Sequence, residues 1–267
     1  MDNFNGSVEI AGWDQKQCEI DGVKYANTVE LRDRIKVDIE KTPNGILVKS
    51  SRPSDDWMGN DGVRYVIHVP RNTELNHIST SNGAIRVSGI DNRADLKTSN
   101  GAVNVSELKG QLGVHTSNGR VSIENVMGPV TLRSSNGSIH VEHVAGAVVA
   151  ATSNSGITVS VDAKAPADAS LKLDTNNGPI DVTLPVAPRS EIRAHTSNGG
   201  ITVRAPDTTS AKVRMHTTHG EVHSDFRADS AQVHKNGGQH DLDETIGTGG
   251  PVMDLQTSNC NIKLLRM

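Results

Sequence analysis

The sequence predicts an all-β fold, a single elongated parallel β-helix that coils to the right. Two observations lead to this prediction. A Thr-Ser-Asn-Gly motif recurs at a nearly constant spacing, and the short runs between its copies alternate apolar and polar residues. Val and Ile fill most of the apolar places, as strands prefer. We expect about nine rungs of about 18–23 residues each.

The motif is most regular in the middle of the chain, where successive copies start 18 residues apart. These copies start at Thr80, Thr98, Thr116, Ser134 and Thr152, the last with its glycine one place late. Looser copies start at Thr175, Thr196, Thr217 and Thr257. A unit this short cannot bury its apolar face alone, so neighbouring units must stack and share a core.

Each unit places its apolar residues at fixed distances from its first threonine. In the unit at Thr98 they are Val103, Val105, Leu108, Leu112 and Val114. Alternation with a period of two over such short runs is typical of strands and not of helices.

This alternation assigns each side chain to the inside or the outside of the coil. We expect one column to be buried, namely Ile85, Val103, Val121, Ile139 and Ile157. We expect the next residue in each strand to be exposed, namely Arg86, Asn104, Ser122, His140 and Thr158. A slip of one residue would exchange the two columns.

The polar residues of the motif are predicted to hold the turns together. The threonine has the parity of the inward residues before it, so we expect it to point inward at a corner. The asparagines should form a structural ladder and bond to neighbouring backbone groups, because buried polar groups need partners. The ladder comprises Asn82, Asn100, Asn118, Asn136 and Asn154. The motif's glycine, and often a second glycine nine places after it, should supply corners with unusual dihedral angles.

We treat residues 1–267 as a single β-solenoid domain with three parts. Residues 1–75 lack the repeat and form an N-terminal β region and cap, with strands near 7–10, 35–39, 46–49 and 63–69. Residues 76–225 carry the regular repeats, and residues 226–267 form divergent C-terminal rungs. Exposed strand edges invite polymerisation, so we expect 1–75 to cover the first edge. We expect 226–250 to pack as a divergent rung or hairpin, 261–265 to close the stack, and the protein to be mainly monomeric.

Composition argues against several classes of function. Lys and Arg number 27 and Asp and Glu number 31, a balance that gives no reason to expect nucleic-acid binding. The six aromatic residues leave a gap between Tyr65 and Phe226, which argues against stacking on neutral sugars. Cys18 and Cys260 fit no metal or redox spacing, and we expect two separate thiols. No apolar run is long enough to span a membrane, and no cofactor motif is present.

Three features of the sequence together resemble those of a known family. The segment Asn5-Gly6-Ser7-Val8-Glu9-Ile10 with Gly12-Trp13-Asp14, the segment Tyr65-Val66-Ile67-His68-Val69-Pro70 and the serial Thr-Ser-Asn-Gly units are similar to the bacterial putative-adhesin family of unknown function. The resemblance covers nearly the whole chain. It implies a β-helix that is attached to, or exported through, a bacterial cell envelope, and it brings no known catalytic residues. No signal peptide is visible at the start of this chain, so a cytoplasmic location is the alternative.

A basic stripe is the candidate ligand-binding site. Its residues stand at outward places of the strand before the threonine: Lys97, Arg133, Lys172, Arg193, His195, Arg214 and His216. If rungs stack in register, the stripe would attract an anionic polysaccharide or envelope polymer. The alternative is that Asp95, Asp174 and Asp254 balance these cations and that the stripe binds nothing.

Histidine is the best candidate for metal chemistry. His195 and His216 occupy the same column, and on adjacent rungs they would lie about 4.8 Å apart, close enough to share a metal. Because both should face water and no carboxylate repeats beside them, we predict no metal site.

The function predicted from these features is non-catalytic, and structural or adhesive. The competing class is a polysaccharide lyase or hydrolase acting on acidic glycans, for which Asp174 would need a second acid in a groove. A third class is a self-assembling intracellular scaffold.

Overall fold

The computed structural model describes residues 1–43, 45–52, 60–226, 232–236 and 239–267. The chain forms two compact units, Met1–Ser122 and Ile123–Met267. Within the described ranges, no helix combines the length and the apolar character needed to cross a membrane.

The first unit has one short helix, α1 (Val29–Arg34), which begins at the N-cap Thr28. Its strands are β1 (Asp2–Asn3), β2 (Val8–Trp13), β3 (Glu19–Tyr25), β4 (Lys36–Thr42), β5 (Gly45–Ser51), β6 (Gly62–Pro70), β7 (Leu75–Thr80), β8 (Ile85–Ile90), β9 (Ala94–Thr98), β10 (Val103–Lys109) and β11 (Leu112–His115).

Strand β12 (Val121–Met127) begins in the first unit and ends in the second. The strands that follow are β13 (Val130–Arg133), β14 (Ile139–Ala145), β15 (Val148–Ala151), β16 (Ile157–Val161), β17 (Leu171–Asp174), β18 (Ile180–Thr183), β19 (Ile192–His195), β20 (Ile201–Ala205), β21 (Ala211–Thr217), β22 (Val222–Ser224), β23 (Gln232–Asn236), β24 (Gln239–Ile246), β25 (Val252–Thr257) and β26 (Ile262–Arg266).

The strands of each unit form two sheets, and the chain visits the two sheets in turn. In the first unit the orders are β4-β5-β1-β7-β9-β11 and β3-β6-β2-β8-β10. In the second unit they are β13-β15-β17-β19-β25-β21-β24-β23 and β14-β16-β18-β20-β26-β22. Most neighbours are parallel and in register, as Val103 opposite Ile85 illustrates. The predicted parallel β-solenoid is therefore confirmed.

The core lies between the inward faces of the two sheets of each unit. The five residues predicted to be buried are each at most 1% exposed. Their outward neighbours are exposed or half-buried, so the predicted register is confirmed. In the second unit the same column continues by direct pairing through Ile139, Ile157, Ile180, Ile201 and Ile262.

The motif's threonine points inward, as predicted, and links two turns of the coil. The Thr98 hydroxyl donates to the carbonyl oxygen of Gly83 on the preceding turn at 3.2 Å. The Thr98 hydroxyl oxygen also accepts a hydrogen bond from the N–H of Gly101 in its own turn, at 3.2 Å. Thr196 repeats the arrangement with Gly178 and Gly199 in the second unit. The buried hydroxyls of Thr98 and Thr196 are thus each satisfied both as donor and as acceptor.

The prediction of unusual dihedral angles is right for the later glycines Gly110 (φ 152°) and Gly128 (φ 142°). It is wrong for the motif's glycine, which serves close packing. A Cβ atom on Gly119 would lie 1.7 Å from the carbonyl oxygen of Gly101, and one on Gly101 would lie 1.7 Å from that of Gly83. Successive turns touch through bare backbone at this place. Any side chain would force the turns apart.

Left-handed backbone occurs instead at a second corner, nine places after the threonine. Its residues are Gly89 (φ 66°), Glu107 (φ 54°), Asn125 (φ 54°) and His143 (φ 52°). A residue other than glycine costs about 1–2 kcal/mol in this conformation. The residue that follows each corner is fully buried, as Leu108 is, so packing of that side chain holds the corner in place.

At the N-terminal end, the first two strands lie inside their sheets. β1 pairs with both β5 and β7, and β2 pairs with both β6 and β8. The outermost strands, β3 and β4, pair antiparallel with β6 and β5. All four strands expected in residues 1–75 are present, but β1, β3 and α1 were missed. The sequence of β3 alternates weakly, because most of its side chains are exposed.

The C-terminal end repeats this arrangement. β25 lies between β19 and β21, and β26 lies between β20 and β22. The prediction that residues 261–265 close the stack is therefore wrong. The antiparallel pair of β23 and β24 follows β21 at the end of its sheet. Residues 227–231 and 237–238 of the predicted divergent segment lie outside the described residues.

A buried carboxylate lies in the strand that covers this end. Leu242, Glu244 and Ile246 share the inward face of β24, and Glu244 is 3% exposed. The Ser224 hydroxyl donates to Glu244 Oε1 at 2.6 Å. Burial raises the pKa of Glu244, and the hydrogen bond from Ser224 offsets only part of that rise.

We expect Gly119→Ala to lower the free energy of unfolding by about 3 kcal/mol, because the new methyl group meets the Gly101 carbonyl. Urea denaturation followed by circular dichroism measures the change. Gly113→Ala is the control, since its Cβ would meet only the flexible Asp95 side chain at 3.3 Å. Equal losses in the two variants would contradict the close-packing role of the motif's glycine.

We expect Glu244→Gln to stabilise the protein at neutral pH. The folded chain holds the Glu244 proton more tightly than the unfolded chain does, so wild-type stability declines as the pH rises from 4.5 through the raised pKa. The variant lacks this decline and keeps the acceptor for Ser224. Unfolding free energies of both proteins between pH 4.5 and pH 8 give the difference. If the difference between the two unfolding free energies is the same at every pH in this range, the ionisation of Glu244 is not its cause.

Candidate ligand-binding face

The residues of the predicted basic stripe lie at outward places of five strands, β9, β13, β17, β19 and β21. Lys97 belongs to the first unit, where it stands beside His115. The other six lie in the second unit, in two columns that run across the strands. Arg133, Lys172, Arg193, His195 and Arg214 are exposed, and His216 is half-buried.

One column of the second unit contains both cations and acids. Lys172, Arg193, Asp254 and Arg214 follow one another on β17, β19, β25 and β21. Asp243 of β24 stands beside Arg214. Asp254 therefore separates the two arginines that the sequence placed on adjacent rungs, because β25 lies between their strands.

Both arginines form ion pairs on this face. The Arg193 guanidinium lies 2.7 Å from Glu191 Oε1, and Arg214 Nε lies 3.7 Å from Asp243 Oδ2. All four side chains are well exposed, so water and salt screen these pairs and each contributes little to stability. An anionic ligand would have to replace the paired carboxylates.

The second column carries the histidines. Asp174, His195, Gln256, His216 and Asp241 stand side by side on successive strands. The prediction that His195 and His216 are stacked neighbours is wrong, since Gln256 lies between them. His216 Nδ1 contacts Asp241 Oδ1 instead. Among the residues that the structure describes, no group of three His, Cys, Asp or Glu side chains could hold a metal ion.

Asp174, the acid that a glycan-cleaving enzyme would need, lies on the same sheet face. Its neighbours across the sheet are Ala151 and His195. It is half-buried in this row. The surroundings of Asp174 are those of a side chain on an open sheet.

The asparagines form a ladder of side-chain amides along the turns. In the first unit, Asn100 Nδ2 donates to Asn82 Oδ1 and Asn118 Nδ2 donates to Asn100 Oδ1, both at 2.6 Å. The partners thus differ from the predicted backbone groups, and the side chains are exposed. The amides bond one another because in-register turns bring identical groups within hydrogen-bond distance.

The ladder continues in the second unit beyond the residues that the sequence assigned to it. The donations run from Asn154 to Asn136, from Asn177 to Asn154, from Asn198 to Asn177 and from Asn259 to Asn198. The last step spans 61 residues of sequence, because β25 and β26 insert beside the turn at Asn198.

Sequence reasoning missed the acids of β24 and the position of β25. The Thr257 copy of the motif was visible, but its spacing does not tell which earlier unit it pairs with. The alternating acids Asp241 and Asp243 were the signal in the sequence that an acidic strand, β24, pairs with the basic strand β21.

Comparison with known proteins gives three results. A family model described as Toastrack DUF4097 matches residues 6–265. The crystal structure of a putative cell adhesion protein from Clostridium sporogenes ATCC 15579 is similar at 11% identity and a TM-score of 0.23, over 100% of this chain and 90% of that chain. A TM-score this low carries no structural argument. No curated protein matches the sequence.

We expect Thr196→Val to destabilise the protein more than Asn198→Ala, although both residues belong to one turn. The valine leaves the buried Gly199 N–H and Gly178 carbonyl without partners, which costs about 1–3 kcal/mol. The alanine removes two exposed hydrogen bonds between side-chain amides, which water can replace, and this loss costs about 1 kcal/mol or less. Urea denaturation measures both losses. A larger loss for Asn198→Ala would show that the exposed ladder, and not the threonine bridge, holds the turns.

Proposed function

The chain belongs to the Toastrack DUF4097 family, and from this premise we propose that it is a non-catalytic β-solenoid of the bacterial cell envelope or surface with a structural or adhesive role. The observation that carries the proposal is the repeated use of the motif's polar residues for stacking. The threonines bridge turns, the glycines let them touch, and the asparagines join each other.

The outer edges of one sheet in each unit favour a protein that does not polymerise over a self-assembling scaffold. β4 and β5 form an antiparallel pair at one end, and β23 and β24 form another. The outer strand β4 carries Lys36, Asp38, Glu40 and Lys41. Charged edge strands disfavour pairing with further copies.

The adhesive form of the proposal uses the outward face of the second unit, with an acidic polysaccharide as ligand. Arg133, Lys172, Arg193 and Arg214 support it, because all four are exposed on one face. Glu191, Asp243 and Asp254 weaken the attraction, because they stand beside the arginines. We therefore expect binding that is weak and confined to low salt, where screening is small.

The enzyme alternative predicts cleavage at Asp174. Ala151 and His195, its neighbours across the sheet, do not supply the second carboxylate that glycan hydrolysis uses. An acidic polysaccharide is incubated with the protein and then tested for shortened chains, and we expect none. Shortening that Asp174→Asn abolishes would establish the enzyme instead.

We expect retention on an acidic-polysaccharide column at low salt to depend on the positive charge of Arg193 and Arg214 that nearby carboxylates do not neutralise. Glu191→Gln with Asp243→Asn removes the two competing carboxylates, so this variant should elute later than wild type. Arg193→Glu with Arg214→Glu should elute earlier than wild type. Rising salt should bring the three proteins together as the Debye length shortens.

Two controls match the changes in net charge on the other sheet of the second unit and its adjoining loops. Asp181→Asn with Glu221→Gln matches the first variant, and Lys164→Glu with Arg204→Glu matches the second. Equal retention of each variant and its control would remove the face as a binding site. Fractionation of bacterial cells with an antibody against the chain tests its location, and recovery in the cytosol alone would contradict the envelope assignment.

A further inference from the structure

The first turn of the asparagine ladder is held by fewer hydrogen bonds than the turn that follows it. In that following turn, the backbone N–H groups of Ser99 and Asn100 both donate to one carbonyl of the turn before, at 3.1 and 2.9 Å. The Asn100 side chain donates to Asn82 Oδ1 at 2.6 Å. The Gly101 N–H donates to the Thr98 hydroxyl at 3.2 Å. Four donors of this turn are therefore engaged.

The same four donors of the first turn have no acceptor within the part of the chain that the structure describes. They are the backbone N–H groups of Ser81, Asn82 and Gly83 and the side-chain amide of Asn82. The Thr80 hydroxyl, which donates to the Gly6 carbonyl at 2.9 Å, ties this turn to the one before it. A turn held by so few bonds opens locally at low cost.

The cause lies in the preceding turn, which does not offer a ladder amide. Asn3 pairs with Thr80, so Asn5 occupies the place of the preceding asparagine. The Asn5 side chain donates instead to the Asp61 carbonyl at 2.6 Å. Asn5 therefore does not extend the ladder, and Asn82 forms one end of it.

An asparagine that precedes glycine can lose its side-chain amide without an enzyme. The glycine nitrogen gives up its proton and attacks the asparagine Cγ, a C–N bond forms, and the side-chain nitrogen leaves with a proton as ammonia. Water then opens the resulting succinimide ring. Cleavage of the bond at Cγ leaves aspartate, and cleavage at the main-chain carbonyl leaves isoaspartate, whose backbone contains one extra carbon. Glycine favours this reaction because it has no side chain to obstruct the approach.

We propose that Asn82 is a site of spontaneous deamidation, and that the bonds of later turns protect their asparagines from the same reaction. A glycine N–H that donates to a buried hydroxyl must lose that bond before it can attack, and an amide that donates along the ladder must lose its bond before it can turn. Both restraints act at Asn100 and Asn198. Among the described residues, nothing accepts from the Asn82 amide or from the Gly83 N–H. This inference is independent of the proposed function.

The reaction would alter the packing between the first turns. Gly83 lies so close to the preceding turn that a Cβ atom there would be 1.8 Å from the Gly6 carbonyl oxygen. Aspartate in place of Asn82 keeps the backbone unchanged and can still accept from Asn100. Isoaspartate lengthens the backbone directly before Gly83 and disrupts this close contact. Deamidation would therefore convert part of the protein into a form whose first turns are more loosely joined.

The chain contains a matched internal control for this proposal. The segments Thr80–Ala84 and Thr98–Ala102 are both Thr-Ser-Asn-Gly-Ala, so their intrinsic reactivity is the same. The folded protein is aged at mildly alkaline pH, and peptide mass spectrometry follows aspartate and isoaspartate at each asparagine. We expect Asn82 to react about tenfold faster than Asn100, the ratio that one or two net hydrogen bonds give to local opening. In urea, where the turns are unfolded, the two rates should be equal.

Thr98→Val tests the protecting bond itself. The variant removes the acceptor for the Gly101 N–H, so Asn100 should react severalfold faster, whereas Asn198, whose threonine bridge is intact, should keep its rate. Thr98→Ser keeps the hydroxyl and should leave the Asn100 rate unchanged. Equal rates at Asn82 and Asn100 in the folded wild-type protein would overturn the proposal. So would an Asn100 rate that Thr98→Val does not change, or a rise of the same size at Asn198, which would assign the protection to the fold as a whole.

Discussion

The threonine hydroxyl that bridges two successive turns is the interaction on which the rest of the stack depends. It accepts from a glycine N–H of its own turn and donates to a carbonyl of the turn before, as Thr98 does with Gly101 and Gly83. That contact fixes the distance between turns at a corner where backbone meets backbone. The apolar columns then align without slipping, and the asparagine amides fall within reach of one another as a result. A buried donor without its partner would be costly, so the bridge is also what makes the register unique.

Much of the fold could be predicted because each element of the motif has a local physical signature. Alternation gave the strands and the buried column through Ile85 and Val103, and parity gave the inward threonines. The order of stacking could not be predicted in the same way. The units at Thr217 and Thr257 both place two apolar side chains inward before the threonine, so this pattern does not decide which of them lies beside the unit at Thr196. Repeat spacing carries no information on which turn lies next to which, and that choice is made by contacts outside the motif.

The same limit explains why the candidate face differs from its prediction. The arginines were correctly placed at outward positions, since parity decides that, but their neighbours follow from the stacking order. Insertion of β25 brings Asp254 between Arg193 and Arg214, and the return of β24 brings Asp243 beside Arg214. A row of cations read along the sequence therefore becomes a row of mixed sign in space.

The insertion of β25 and β26 also has a consequence for how the chain reaches its final arrangement during synthesis. A ribosome releases β21 and β22 before β25 and β26. During that time the place beside β19 and β20 is vacant, and β21 and β22, which do not pair with these strands in the folded structure, are already available. Since the two units carry the same motif, β21 can dock directly on β19 and form a well-bonded but incorrect stack. Completion of the second unit therefore requires that the place beside β19 and β20 stay open, or be reopened, until β25 and β26 have been made, and it is not the simple addition of one turn after another.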